Sequence, residues 1–159
     1  MLSFRPLLES DHDQLYRWLQ LAAWTAPAAA QPATAQHDAQ PATASCDDWG
    51  SPFDLGLVAR LASRDVGACW LRLLPEDVGL GYVDIFTPQL GMALEPEFRQ
   101  RGYGRQMLSA LLHQAACRGY AQVSLSVHPD NPALRFYQKA GFNTVTLRQY
   151  CHVMVTKLF

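Results

Sequence analysis

The stretch that decides the fold runs Leu90-Gly91-Met92-Ala93-Leu94-Glu95-Pro96-Glu97-Phe98-Arg99-Gln100-Arg101-Gly102-Tyr103-Gly104 and continues Arg105-Gln106-Met107-Leu108-Ser109-Ala110-Leu111-Leu112. An apolar, strand-like run ends at Glu95-Pro96. An arginine-rich turn then leads through Gly102 and Gly104 into an amphipathic helical pattern. The first-turn amides of a helix have no intrahelical partner, and the helix dipole adds partial positive charge beside them. Glycines at 102 and 104 let an anion approach those amides with no Cβ in the way. Arg99, Arg101 and Arg105 supply fixed positive charge. Strand, diphosphate-sized anion site and helix thus follow one another in a single segment.

Outward from this segment the chain punctuates itself. Residues 2–6 read as a short strand. Ser10 is placed as an N-cap, with Asp13 in the capping-box position, for a helix over about 11–23 that carries Leu15, Trp18, Leu19 and Ala22 on one face. Residues 24–48 are rich in Ala, Pro, Gln and Thr, with near-copies at 31–35 and 40–44, and prolines at 27, 32 and 41 bar a continuous helix. This insert is expected to be a lid or connection. Residues 55–61 and 66–74 suit a hairpin, and 82–86 and 89–94 read as further strands. Downstream, a helix over about 103–118 carries Met107, Leu108, Leu111, Leu112 and Ala115 on one face and stops at Gly119. Residues 122–128 alternate as a strand. Asn131 caps a helix with Pro132 at its first position and Gly141 as its stop, and 142–147 and 151–156 close as strands. The order predicts one α/β domain over 1–159, with a mixed sheet and helices on both faces.

At 159 residues, 49% apolar and 17% charged, the chain suits one globular core. A net charge of −1 makes no electrostatic case for nucleic acid or an anionic membrane. No apolar run is long enough to span a bilayer, and the N-terminus turns polar at once, with no signal peptide. Cys46, Cys69, Cys117 and Cys151 form no C-x-x-C pair, so no metal site is expected. Three of them lie in apolar settings, and free thiols in a reducing cytoplasm are the expectation.

Two of these segments carry a family resemblance. R-x-x-G-x-G, here Arg99 to Gly104, resembles the pyrophosphate loop of the GNAT superfamily of acyl-CoA-dependent N-acyltransferases. Asn131-Pro132-Ala133-Leu134-Arg135-Phe136-Tyr137-Gln138-Lys139-Ala140-Gly141-Phe142 resembles that family's second signature, about 30 residues downstream. The likeness is clear from Val66 to the end and thin before it. It implies a mostly antiparallel sheet of about six or seven strands whose fourth and fifth strands splay apart. It implies acetyl-CoA as co-substrate. Its pyrophosphate would lie on Gln100, Arg101, Gly102, Tyr103, Gly104 and Arg105. Its pantetheine arm would pair with the strand edge at Met92, Ala93 and Leu94, as an added strand would, and one amide there would polarise the thioester carbonyl. Gly91 in that strand marks either a bulge exposing those groups or room for a neighbouring side chain.

The resemblance casts Tyr137 as the general acid that protonates the departing thiolate. By pattern alone Tyr137 equally sits on a core-facing stripe with Ala133, Phe136 and Ala140. Asn131 bonds the pantetheine arm or only caps its helix. Many relatives place the Asn seven residues before the Tyr, where this chain has Asp130. Relatives with a glutamate base five residues before the Asn have Ser126 here, so that base is absent. An acceptor ammonium must still lose a proton. The candidates are Glu95, which ends the strand beside the acyl site and could act through water, Asp84 within an apolar run, and His128 at a strand end. Trp18, Trp24 and Trp49 flank the insert and either clamp an acceptor or anchor the loop.

The function implied is acetyl transfer from acetyl-CoA to a small-molecule or peptide amine, by direct attack in a ternary complex. The alternative is a non-catalytic acyl-CoA-binding module of the same fold. A nucleotide enzyme fails on spacing: the loop lacks the Gly-Lys-Ser/Thr ending of a P-loop and the G-x-G-x-x-G of a dinucleotide site. The alternation in residues 151–156 would serve pairing across a homodimer or within the chain.

Overall fold

A computed structural model describes residues 1–23, 49–76 and 78–159. The insert at 24–48, with Trp24 and Cys46, lies outside the described residues. The elements are β1 (Leu2–Pro6), α1 (His12–Ala22), β2 (Leu55–Leu61), β3 (Arg64–Arg72), β4 (Gln89–Leu94), α2 (Tyr103–Cys117), β5 (Gln122–Val127), α3 (Ala133–Lys139), β6 (Asn143–Arg148) and β7 (Cys151–Lys157). The strands form a seven-stranded sheet in the order β1-β2-β3-β4-β5-β7-β6. Every neighbouring pair is antiparallel except β4 and β5. Because β7 lies between β5 and β6, its alternating apolar residues are paired within the chain.

The helices take opposite faces, as the alternation of the strands demands. On one face Leu15, Trp18 and Leu19 of α1 bury against Val58, Ala68, Trp70 and Ala93. On the other, Met107, Leu108, Leu111 and Ala115 of α2 bury against Leu57, Cys69, Leu71, Val123 and Leu125, with Phe136 and Tyr137 of α3 packed alongside. Each such aliphatic side chain contributes about 1.5–3 kcal/mol by leaving water.

Three local expectations are corrected. Ser10 does not cap α1. It sits inside a 3-10 turn, Glu9–Asp11, that precedes the helix, and the Leu8 N–H donates to Asp11 Oδ2 at 2.8 Å. Arg5 grips the same carboxylate at 2.8 Å, so Asp11 already has tertiary and local partners. Residues 82–86 form no strand. Asp84 Oδ1 accepts from the Phe86 N–H and from Thr87 Oγ1, both at 2.8 Å, and folds the segment into a turn that leaves Ile85 and Phe86 exposed. Of the three described cysteines only Cys69 is buried, since Cys117 is exposed and Cys151 intermediate.

The segment entering β2 is locked by charge. Asp54 and Arg72 pair at 2.9 Å with side chains only 5% and 8% exposed. Asp54 Oδ2 also accepts from the Gly50 and Ser51 amides, while Arg72 lies over the Trp49 ring.

Candidate active site

β4 and β5 share a single registered pair, Gln89 with Ser124, reinforced by the Ser124 N–H donating to Pro88 O at 3.0 Å. Beyond it the strands part. A cleft of about 1220 Å³ opens between them, lined by residues 90–94 of β4, 125–127 of β5, the start of α2 and the inner side of α3. The fourth and fifth strands therefore splay, as expected.

Backbone parity decides what β4 offers that gap. The Glu95 N–H donates to Val66 O on the β3 side. In an antiparallel ladder such bonds recur at every second residue, so Ala93 and Gly91 also turn their polar groups toward β3. Pro88 O, of the other parity, faces β5. Met92 and Leu94 therefore direct their N–H groups into the gap, while the Leu90 N–H, of the same parity, faces Ser124 at the one registered pair. Ala93 lines the cleft but offers it no amide, which removes it from the predicted pairing edge. The Leu94 carbonyl is taken by Arg99 Nε at 2.9 Å, a bond that fastens the anion loop to the strand end.

Gly91 makes no bulge. The register from Gly67–Leu94 to Arg72–Gln89 is unbroken, and Gly91 sits opposite Trp70, whose indole occupies the space of the missing Cβ. Of the two alternatives, room for a neighbour is the one found.

At the loop, Gly102 is the N-cap of α2 at φ +84°, in the left-handed region that glycine adopts without a Cβ penalty. Gln100 is also left-handed, at φ +61°. The Gln106 N–H returns to Gly102 O at 3.3 Å, so the amides of 103–105 have no partner within the helix. Gly104 faces Met92 and Phe136: a Cβ there would meet Met92 Cε at 3.3 Å and the Phe136 ring at 3.7 Å. Gln100, Gly102, Gly104 and Arg105 line the cleft, together with Arg99. The side chains of Arg101 and Tyr103 do not. Arg101 lies over the Phe98 ring and Tyr103 packs against the core.

Tyr137 lines the cleft from α3, edge-on to Phe136 at 5.2 Å and to Phe142 at 5.6 Å. Its hydroxyl makes no hydrogen bond among the described residues. Burial pushes the phenol up to about 12, with the Cys69 thiol adding a smaller effect in the same direction. A neutral phenol facing a cleft can give a proton. Asn131 lines the cleft, and its Oδ1 accepts from the Ala133 N–H at 2.9 Å, one residue ahead of Pro132, the N-cap of α3.

The base candidates separate. Glu95 stands on the α1 face of β4, two residues beyond Ala93, and its carboxylate is 10% exposed and paired with Arg17 at 2.6 Å. Asp84 is consumed by its turn and by Gln122 Nε2 at 3.5 Å. His128 Nδ1 accepts from the Asp130 N–H at 3.0 Å, which orients the ring within its own loop. None of the three is part of the cleft lining, and Glu95 adjoins residues that are. Sequence reasoning did not single out Leu21, Ser109 and Lys139, and it gave Ala22 and Ser126 no place in the cleft that they line. Leu21 and Ala22 bring the end of α1 to the cleft, and nothing in the local pattern of α1 marks that contact.

The model of the Acetyltransferase (GNAT) family matches residues 14–142, and the chain belongs to that family. Among curated proteins it is similar to the ribosomal protein bS18-alanine N-acetyltransferase of Haemophilus ducreyi, 34% identical over 64 residues, which covers 40% of this chain and 44% of that protein. It is also similar to the mycothiol acetyltransferase of Clavibacter sepedonicus, 33% identical over 95 residues, covering 59% of this chain and 28% of that one. The match thus spans less than half the length of these relatives. Among solved structures, the PaiA N-acetyltransferase of Thermoplasma acidophilum in complex with coenzyme A superposes with a TM-score of 0.69 at 17% identity, covering 99% of each chain. At that identity the likeness concerns the fold. Among the described residues no helix is long and apolar enough to cross a membrane, and among them no cluster of three or more His, Cys, Asp or Glu is arranged to hold a metal.

Proposed function

We propose that the chain is an acetyl-CoA-dependent N-acetyltransferase acting on a primary amine by direct attack. One observation carries the reading: the unpaired edge of β4 faces a cleft with the amide-rich start of α2 at one end and the neutral Tyr137 phenol on its wall. Amides 103–105 with Arg99 and Arg105 bind the pyrophosphate, and Gln100 and Gly102 shape that loop. The free edge groups of β4, the N–H and carbonyl of Met92 and the N–H of Leu94, pair with the amide-bearing pantetheine arm, with Asn131 alongside. An N–H of Met92 or Leu94 supports negative charge on the thioester oxygen as the amine adds. The new C–N bond forms, the C–S bond breaks, and Tyr137 gives its proton to the thiolate. Glu95 takes the amine's proton through a water on the α1 face.

The coenzyme A complex of the PaiA enzyme supports this choice of donor. The two curated relatives are named for a ribosomal protein alanine and for mycothiol, and these names support an acceptor that is a protein or small-molecule amine. Calorimetric titration with acetyl-CoA, CoA and ATP tests the reading. Binding of the first two but not ATP is expected, followed by thiol release with a panel of amines. No binding at millimolar acetyl-CoA would overturn it.

A further inference from the structure

We infer that Arg17 is a positioning residue, which holds the Glu95 carboxylate, on the α1 face beside the cleft-lining end of β4, in the orientation that proton removal through a water requires. The inference rests on the proposed role of Glu95 as base. Glu95 is fixed from several directions. Its N–H donates to Val66 O at 2.9 Å and its carbonyl accepts from the Phe98 N–H at 2.9 Å, which leaves only the side chain free to turn. That side chain is 10% exposed and meets Arg17 Nη2 at 2.6 Å, whereas the Arg17 side chain is 65% exposed. The pair is therefore asymmetric. A buried anion has one cation, and that cation can be withdrawn into water at little cost to itself. A pair of exposed partners would be worth little, but a desolvated carboxylate depends on its partner.

No other charge is set on Glu95 among the described residues. From the turn after β4, Glu97 is held by Arg64 at 2.6 Å and Arg99 Nε is on Leu94 O. From β3, Asp65 is occupied by Arg5 at 3.0 Å and Arg60 at 2.8 Å. From α1, Arg17 alone reaches it. Arg17 lies one helical turn before Leu21, and Leu21 and Ala22 line the cleft. The helix that forms part of the acceptor-side wall thus also carries the group that orients the carboxylate, so α1 links cleft shape to proton removal.

The test compares Arg17→Ala, Arg17→Lys and Glu95→Gln by kcat and by KM for the acceptor amine, with acetyl-CoA affinity by calorimetry and thermal melts as controls. Arg17→Ala is expected to lower kcat about tenfold with the acceptor KM within about twofold, because the carboxylate loses the partner that orients it. Acetyl-CoA affinity stays within about twofold, as the pyrophosphate contacts are elsewhere. Arg17→Lys, which keeps the charge, restores most of kcat. If Glu95→Gln lowers kcat at least about 100-fold while Arg17→Ala leaves it unchanged, the role of Arg17 is overturned and Glu95 stands as base. If Glu95→Gln keeps wild-type kcat, the base assignment falls and the inference with it. Should Arg17→Ala melt too early for assay, the Arg17→Lys and Arg17→Gln pair decides: equal kcat in the two overturns the inference.

Discussion

The indole of Trp70 on β3 lies across Gly91 on β4, filling the volume a side chain at 91 would need. A Cβ built there overlaps Nε1 and Cε2 and comes within 2.6 Å of Cζ2. Trp70 is 4% exposed and belongs to the core beneath α1, so it has nowhere to retreat. Gly91→Ala is expected to destabilise the fold by about 1–3 kcal/mol, measured as a shift in the urea midpoint. A midpoint equal to wild type would show that the indole yields freely.

Tyr137→Phe removes one oxygen and leaves the edge-on packing with Phe136 and Phe142 in place. Turnover is expected to fall about 100-fold while acetyl-CoA affinity is unchanged. With its phenol held at about 12, Tyr137 keeps its proton throughout the neutral range, so an alkaline limb below about pH 10 must come from another group. Weakened cofactor binding in the variant would instead make Tyr137 a packing residue.

The same burial makes stability pH-dependent on the alkaline side. Cys69 and Tyr137 both sit at about 12 in the fold, raised from 9.0 and 10.0 chiefly by desolvation. Between those values the unfolded chain releases protons that the folded chain keeps, so unfolding is favoured as pH rises. The contribution is whole below about pH 9 and lost by about pH 12. Urea midpoints across this window should fall, and Cys69→Ala should flatten the earlier part of the decline. An unaltered slope in that variant would refute the assignment to Cys69.

Gly102 faces open space, with nothing within 4 Å of a would-be Cβ, but its φ of +84° is costly for any other residue. Gly102→Val is expected to weaken acetyl-CoA binding at least about tenfold by tilting the first-turn amides, with roughly 1–2 kcal/mol of strain in the free protein. Unchanged affinity by calorimetry would exclude this loop as the anion site.

Asp54→Ala removes the carboxylate paired with the buried Arg72 guanidinium, whose side chain is 8% exposed, and frees the Gly50 and Ser51 amides that the carboxylate now caps. A loss of about 3–5 kcal/mol is expected in chemical denaturation, as for other buried pairs broken on one side. A loss under about 1 kcal/mol would mean that water reaches the arginine readily.

The parts of this fold legible in the sequence are those whose cause is local. Residues 99–104 announce a turn into a helix because glycine spacing and left-handed backbone are properties of a few adjacent residues. Met107, Leu108, Leu111 and Ala115 announce a buried face because the helical period is local too. Residues 82–86 misled because their apolar alternation matched a strand, while the short range bonds of Asp84 to Phe86 and Thr87 decided for a turn. The parity of β4 was hidden as well: which residues face the gap depends on hydrogen bonds to β3, a strand that lies earlier in the chain. Arg17 and Glu95 are joined only through the packing of α1 on the sheet, and no spacing rule relates them.

The single registered pair between β4 and β5 has a consequence for how the molecule comes apart. With Gln89 and Ser124 as the one registered rung between them, the hydrogen-bond ladders of β1–β4 and β5–β7 meet at a single point, and the two half-sheets are otherwise held by the core beneath α2. A ligand that adds backbone bonds along the seam acts as mortar. Its concentration then sets the melting temperature, with a gain of about 2.7 kcal/mol at a hundredfold excess over Kd. Amide exchange along residues 90–94 and 125–127 should slow together as that ligand is added, tying the durability of the chain to the supply of the co-substrate proposed for it.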